Sequence, residues 1–448
     1  MTSRARVVVA LFTVSILGAF ITGRDLFYNL VYLWGFLLVS SYTWARLTLL
    51  GVRLEREAFS TRAQVGQLFT ERFTLVNESR IPKIWIEARD KSELPGYKVT
   101  STVAGLGRRG LDDRSGHRAS TVTINLGSHH RRTWIQRTVC TRRGRYRIGP
   151  LELHSGDLFG LFPVKRDVPS SQHLLVLPMV VPIRRFSTPT GRISGGEAIR
   201  KRTHQVTPNV ASVRDYSAGD NLNRIHWPST AKRQRLIVKE FELDPQGEVW
   251  LLLDAARKNR YVKADRLDQD ERSVWIVGET RLPLASDEYG IAAAASLGIH
   301  FLDLDRSVGL IAYGDARHVI QPDRGEAQRY RLLESLAVLN ADGVHDLDQV
   351  LRVEYPRIPR GSTVIVITAA AGPVVMGVLR RLIIGDRRPI LISLDASTFG
   401  GPEDTNALPS AAGREGVPVI EVRCGDSLED ALNLSSRRRL RPTAVQGR

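Results

Sequence analysis

Val249–Lys258 reads VWLLLDAARK, and its first five residues form an unbroken apolar run. A run that short, with no alternation, predicts a strand buried on both faces. Similar runs follow at Val308–Ala312, Val364–Ile367, Ile390–Leu394 and Val417–Val422. Between them lie Glu288–Leu304, Glu326–Leu339 and Val374–Ile384, where apolar residues recur at intervals of three and four. Buried strands interleaved with amphipathic helices predict a C-terminal α/β domain over 244–434, with a mainly parallel sheet covered on both faces. The turn Asp244-Pro245-Gln246-Gly247 is expected to join Leu236–Phe241 to the first run as an antiparallel edge hairpin. Arg257–Arg281 reads as a charged insertion, and the basic tail over 435–448 as disordered.

Just upstream, Val213–Glu242 reads VRDYSAGDNLNRIHWPSTAKRQRLIVKEFE. It crowds Asp215, Asp220, Arg224, His226, Lys239, Glu240 and Glu242 between apolar segments, with Gly219 as a turn signal. Two chemistries fit. In the first, His226 is a general base oriented by Asp215 or Asp220, since an imidazole titrates near neutral pH. No serine or cysteine sits in a nucleophile-elbow context, although Ser229 and Thr230 are close by. In the second, Asp220 N-caps a short helix over Asn221–Trp227, and Arg224 and Lys239 pair with Asp215, Glu240 or Glu242. Trp227 then anchors the segment on the sheet, and Pro228 ends the helix. The second reading is expected, so no catalytic residue is assigned.

The same stretch carries a resemblance. Arg214-x-Tyr216-x-x-Gly219-Asp220, then Arg224-Ile225-His226-Trp227, then Lys239-Glu240-Phe241-Glu242, resembles the hallmark of the bacterial family called domain of unknown function fifty-eight. Asn77–Pro82 and Gly156–Phe162 are similar to landmarks that precede the hallmark in that family. The resemblance implies a membrane-tethered protein, a von Willebrand factor A-like α/β domain, and a MoxR-type AAA ATPase as partner. Such domains often hold a divalent ion through Asp-x-Ser-x-Ser after the first strand, because hard cations take oxygen ligands. Here that position reads Asp254-Ala255-Ala256-Arg257-Lys258, and Thr368-Ala369-Ala370-Ala371 follows a later strand without a carboxylate. Asp254 is therefore a remnant, expected to cap the following segment or to pair with Lys258 or Arg257. Neither a metal nor a cofactor is expected.

Residues 53–182 have period two. Phe69, Phe73 and Leu75 alternate with Thr70, Arg72 and Thr74; Ile84, Ile86 and Ala88 oppose Trp85, Glu87 and Arg89; Val122, Ile124 and Leu126 oppose Thr121, Thr123 and Asn125. Alternation with frequent turn signals predicts an antiparallel β-sandwich-like domain. A Gly-, Ser- and Arg-rich linker and the hallmark occupy 183–243. At the other end, Val7–Thr22 and Leu26–Ala45 lack charge, and only Gly23-Arg24-Asp25 separates them. Residues 1–52 thus read as a two-helix transmembrane hairpin, a cleaved signal peptide being the competing reading. Arg4, Arg6, Arg46, Arg53 and Arg56 flank it against Arg24 in the connector, which places both ends on the cytoplasmic side of a bacterial inner membrane.

The net charge is +17 over 448 residues, which points to an anionic neighbour such as phospholipid. Arg131–Arg147 contains seven arginines, read as a solvated sheet face, and nucleic acid is not expected as a partner. No G-x-x-x-x-G-K-[ST] occurs, which excludes a P-loop nucleotidase. Two cysteines, Cys140 and Cys424, support neither a zinc site nor a disulfide framework and are expected as buried thiols in a reducing compartment. The function expected is that of a membrane-anchored, non-catalytic adaptor or scaffold acting through protein–protein contacts. A membrane-bound hydrolase using His226 is the alternative, and a basic tether for anionic polymer a third.

Overall fold

The computed structural model describes residues 2–98, 120–184, 186, 210–215, 225–241, 248–263, 282–370, 372–402 and 408–433. The chain divides into two compact units, one centred on Met1–Val180 and the other on most of the remainder.

The first unit opens with α1 (Ser3–Thr22) and α2 (Asp25–Thr48), both long and apolar enough to cross a bilayer. Only 17% and 6% of their most apolar windows are buried, unlike the core helices of a soluble fold. The two helices pack through small residues: Gly18 receives the Phe27 ring and Gly35 lies against Phe12. Small side chains let apolar helices approach closely where no water drives association.

Eleven strands follow: β1 (Val52–Ala58), β2 (Arg62–Gln64), β3 (Leu68–Asn77), β4 (Lys83–Asp90), β5 (Gly96–Lys98), β6 (Ser120–Leu126), β7 (Arg131–Cys140), β8 (Gly144–Ile148), β9 (Leu151–Gly156), β10 (Pro163–Val168) and β11 (Gln172–Leu177). Among the described residues they form sheets β1-β3-β7-β5, β10-β9-β4-β6 and β2-β11-β8, and β2 pairs with β11 in parallel. Leu54, Phe73 and Leu75 of the first sheet meet Ile86, Ile124 and Leu153 of the second in one core. Alternation held along β3, but a bulge between Lys83 and Ile86 inverts the expected face of Ile84, which is exposed. One extra residue in a strand flips the side chains on one side of it. Lys83 takes the interior place and donates from Nζ to the Leu47 carbonyl at 2.8 Å, near the C-terminal end of α2. Burial pushes the Lys83 ammonium below its ordinary value. Arg166 caps the same helix end, donating from Nη1 to Leu49 O at 3.0 Å. Carbonyls at a helix C-terminus lack intrahelical donors, and cations suit that end of the helix dipole.

In the second unit, β12 (Val210–Asp215), α3 (Trp227–Arg233) and β13 (Ile237–Phe241) precede β14 (Val249–Leu253). Then come α4 (Ser286–Asp303), β15 (Val308–Tyr313), β16 (Arg317–Asp323), α5 (Gly325–Val338), α6 (Leu347–Glu354), β17 (Thr363–Thr368), α7 (Gly372–Ile384), β18 (Arg388–Leu394), α8 (Leu408–Arg414), β19 (Val419–Val422) and α9 (Leu428–Asn433). The main sheet has order β16-β15-β14-β17-β18-β19, parallel except for the antiparallel edge β16. All five residues of β14 are buried, as their apolarity requires. The expected hairpin from Leu236–Phe241 into β14 does not form. β13 pairs with β12, while both edges of β14 are occupied by β15 and β17. The turn Asp244–Gly247 lies outside the described residues. Cys140 is buried as expected, but Cys424 only partly so.

Candidate functional site

The sheet order reverses at β14. The chain leaves β14 for β15 on one side and later returns to β17 on the other, so the crevice outside their carboxyl ends is a topological switch point. Asp254 directly follows β14, and Thr368 ends β17. Parallel register places Leu253 beside Ile367, and therefore these two next residues side by side. The Thr368 hydroxyl donates to Asp254 Oδ2 at 2.6 Å, Asn259 Nδ2 donates to the same oxygen at 2.8 Å, and the Ala256 N–H donates to Oδ1 at 3.1 Å. Burial nevertheless holds the Asp254 carboxyl above its ordinary value of 3.8, outweighing these three donors. The surrounding hollow includes Arg260, Ser286 and Asp287, and Arg260 Nε lies 3.1 Å from Asp287 Oδ2.

Asp254 thus caps the next segment as expected, but Lys258 does not pair with it. Lys258 Nζ reaches Asp346 instead, at 2.6 Å. Asn259 and Thr368 are the partners that sequence reasoning passed over. Thr368 becomes visible only once β14 and β17 are known to be neighbours. Among the described residues no cluster of three His, Cys, Asp or Glu side chains could hold a metal ion.

The hallmark forms a second feature. Arg214 and Asp215 end β12, opposite Val238 and Ile237 of β13, and Lys239, Glu240 and Phe241 continue β13. The side chains of these five, together with Tyr216, Gly219, Asp220, Arg224 and Glu242 in full, lie outside the described residues. Ile225 is buried and bridges to Val238. His226 has a non-helical backbone (φ −90°, ψ 85°) and occupies the N-cap position of α3. The expected cap at Asp220 and residues 221–224 of the expected helix lie outside the described residues; Ile225 and His226 are not helical, and the described helix begins at Trp227. Pro228 lies in its first turn, where a missing N–H loses no intrahelical bond, so it starts the helix rather than ending it.

His226 closes this turn on itself. Its N–H donates to the Ile237 carbonyl at 2.8 Å, and its Nδ1 lies 2.6 Å from Ser229 Oγ. Thr230 Oγ1 accepts from the Ile237 N–H at 3.1 Å. These bonds lash α3 to β13 and leave Trp227 64% exposed, so it does not anchor the segment as expected. In chemical terms the turn offers a half-buried imidazole–hydroxyl pair beside a solvent-facing indole.

A curated relative, the "Uncharacterized protein YeaD" of Bacillus subtilis (strain 168), is 23% identical over 232 residues, covering 50% of this chain and 50% of that protein. The chain therefore spans about half the length of the curated relative it matches. Among solved structures, the CARDB domain of the PF1109 protein from Pyrococcus furiosus is 12% identical over 28% of this chain and 91% of its own, with a TM-score of 0.19. The human CEP192 PapD-like domain is 15% identical over 28% of this chain and 83% of its own, with a TM-score of 0.17. Scores that low carry no argument. Residues 212–394, which hold both the His226 turn and the Asp254 edge, match the family model described as "Protein of unknown function DUF58".

Proposed function

We propose that this protein is a membrane-anchored, non-catalytic adaptor or scaffold whose hallmark turn recognises a protein partner. The observation that carries the reading is Trp227, presented to solvent at the start of α3 while its neighbours are bonded inward. An exposed tryptophan on a fixed support is the residue type that dominates protein–protein binding energy. The partner we propose is a MoxR-type AAA ATPase or another envelope-assembly protein. The basis for this partner is the family resemblance. We place both soluble units on the cytoplasmic face of a bacterial inner membrane, on the arginine bias around α1 and α2.

The α/β unit is read as von Willebrand factor A-like. Its support is the sheet order with a single antiparallel edge, and an aspartate directly after the strand where the order reverses. Affinity capture from native membranes, comparing the wild type with Trp227→Ala, tests the recognition reading. One or more partners should be recovered with the wild type and lost with the variant, while the variant stays folded. Equal recovery by both would sink it.

The 2.6 Å contact between His226 Nδ1 and Ser229 Oγ favours a second reading, a hydrolase with Ser229 as nucleophile and His226 as base. Turnover of ester or amide substrates, abolished by His226→Ala and by Ser229→Ala with partner capture intact, would establish it in place of the first.

A further inference from the structure

The turn from Asp157 to Phe162, between β9 and β10, holds two large apolar side chains in solvent on a rigid frame. Asp157 is 2% exposed, and its carboxylate accepts from the Phe159 N–H at 3.0 Å and the Phe162 N–H at 2.6 Å. Gly160 sits at φ +69°, a conformation that favours glycine, and its N–H donates to the Asp157 carbonyl at 3.3 Å. Leu161 points into the unit and is 3% exposed, whereas Leu158 is 63% and Phe159 55% exposed. A turn this tightly bonded does not expose them through looseness.

The place of the turn says what they meet. Thr2 Oγ1, at the start of α1, donates to the Gly160 and Leu161 carbonyls, 3.1 Å from each. A Cβ added to Gly160 would lie 3.4 Å from Arg4 Nη1. On the other side, the Phe162 ring packs edge-on against Tyr42 at 5.7 Å, and Arg46 Nη2 donates to the Tyr42 hydroxyl at 2.9 Å. Tyr42 lies six residues before the end of α2, about 9 Å back along the helix. The turn therefore sits beside the ends of both apolar helices, among the arginines that flank them.

We infer that the Asp157–Phe162 turn inserts Leu158 and Phe159 into the interfacial region of the bilayer, as a third membrane contact that seats the β-unit against anionic phospholipid. This rests on reading α1 and α2 as membrane spans. Apolar side chains rimmed by cations are what a lipid interface accommodates, the tips entering the acyl boundary and Arg4 and Arg46 meeting headgroup phosphates. Asp157 holds the tips outward, and the packing of Phe162 on Tyr42 sets their depth.

The test uses the full chain reconstituted in vesicles of phosphatidylethanolamine and phosphatidylglycerol. A polarity-sensitive fluorophore is attached through Phe159→Cys, Val14→Cys or Phe59→Cys in a Cys424→Ser background, Cys140 being buried. Val14 is an exposed position on α1 and reports whether that helix lies in lipid. Phe59 follows the last residue of β1, roughly 20 Å along that strand from its start beside α2. The position-159 probe should be quenched at least two-fold by shallow doxyl lipid and several-fold less by aqueous iodide than the position-59 probe. Iodide quenching equal to that at position 59, with the position-14 probe in lipid, overturns the inference and leaves the anchoring intact. Shielding from both quenchers means a protein covers the turn and also overturns it. A position-14 probe in water overturns the anchoring and the inference together.

Discussion

The Thr368 hydroxyl donates to the Asp254 carboxylate across 2.6 Å, joining the end of β17 to the residue that follows β14. With Asn259 on the same oxygen and the Ala256 N–H on the other, the carboxylate is supplied with donors from the protein itself. Ala256 and Lys258 stand where a hard cation would need further oxygen ligands, and neither side chain has an oxygen to give. Calorimetric titration with magnesium, manganese or calcium should therefore give no heat of binding. Micromolar affinity lost in Asp254→Ala would show that the remnant still works as a site.

Trp227→Ala should change stability by no more than about 0.5 kcal/mol, because the ring is mostly in water and its truncation opens no cavity. Urea unfolding of the purified protein measures this. A loss of several kcal/mol would mean that the indole is a structural anchor, with its role as a contact residue withdrawn.

Arg56 is fully buried, with Nε 3.0 Å from Glu71 and Nη2 2.5 Å from Asp90, and its guanidinium lies over the Phe73 ring at 5.0 Å. Arg56→Met leaves two buried carboxylates without their shared cation, and should destabilise the β-unit by about 3–5 kcal/mol. Adding Glu71→Gln and Asp90→Asn should recover part of that loss. If the triple variant unfolds as readily as the single one, charge is not the reason.

Glu152 is held down to about 2 from an ordinary 4.5, first by its hydrogen bond to Lys91 and then by that to His154. A folded-state pKa below the unfolded value contributes stability that is complete above pH 4.5 and is lost as pH falls toward about 2. Denaturation midpoints of wild type and Glu152→Gln should converge across that acid interval. A gap that stays constant with pH would place the contribution in packing.

Reporter fusions test the topology. A reporter at the C-terminus should report cytoplasm, and one inserted at Gly23, in the αL turn between α1 and α2, should report the opposite face. A C-terminal reporter outside the cytoplasm would reverse the orientation and remove the proposed ATPase contact.

Element type was legible wherever burial imposes a period on the residues. VWLLL at 249–253 coincides with β14, and the alternation from Phe69 to Leu75 matches the buried face of β3. Both follow from side-chain geometry that each strand carries by itself. The polar edge strand β16 and the short helix α6 went unread, because RHVIQPD is only half-buried and an eight-residue helix spans little more than two turns. Ile84 was misplaced for a related reason: a bulge is a relation between two strands, and one strand read alone does not contain it.

The site divides along the same line. Asp254 was found because the resemblance implies a metal-site motif directly after the first buried strand, and its cap onto Ala256 is local. Thr368 stands 114 residues away and reaches it only because the sheet order reverses between β14 and β17. Trp227 was expected to anchor the segment on the sheet, and its ring is instead 64% exposed. Sequence determines that an indole follows His226, but whether it faces sheet or water depends on where α3 starts. That is decided by the bonds from His226 and Thr230 to Ile237, which exist only after β13 has folded back beside them.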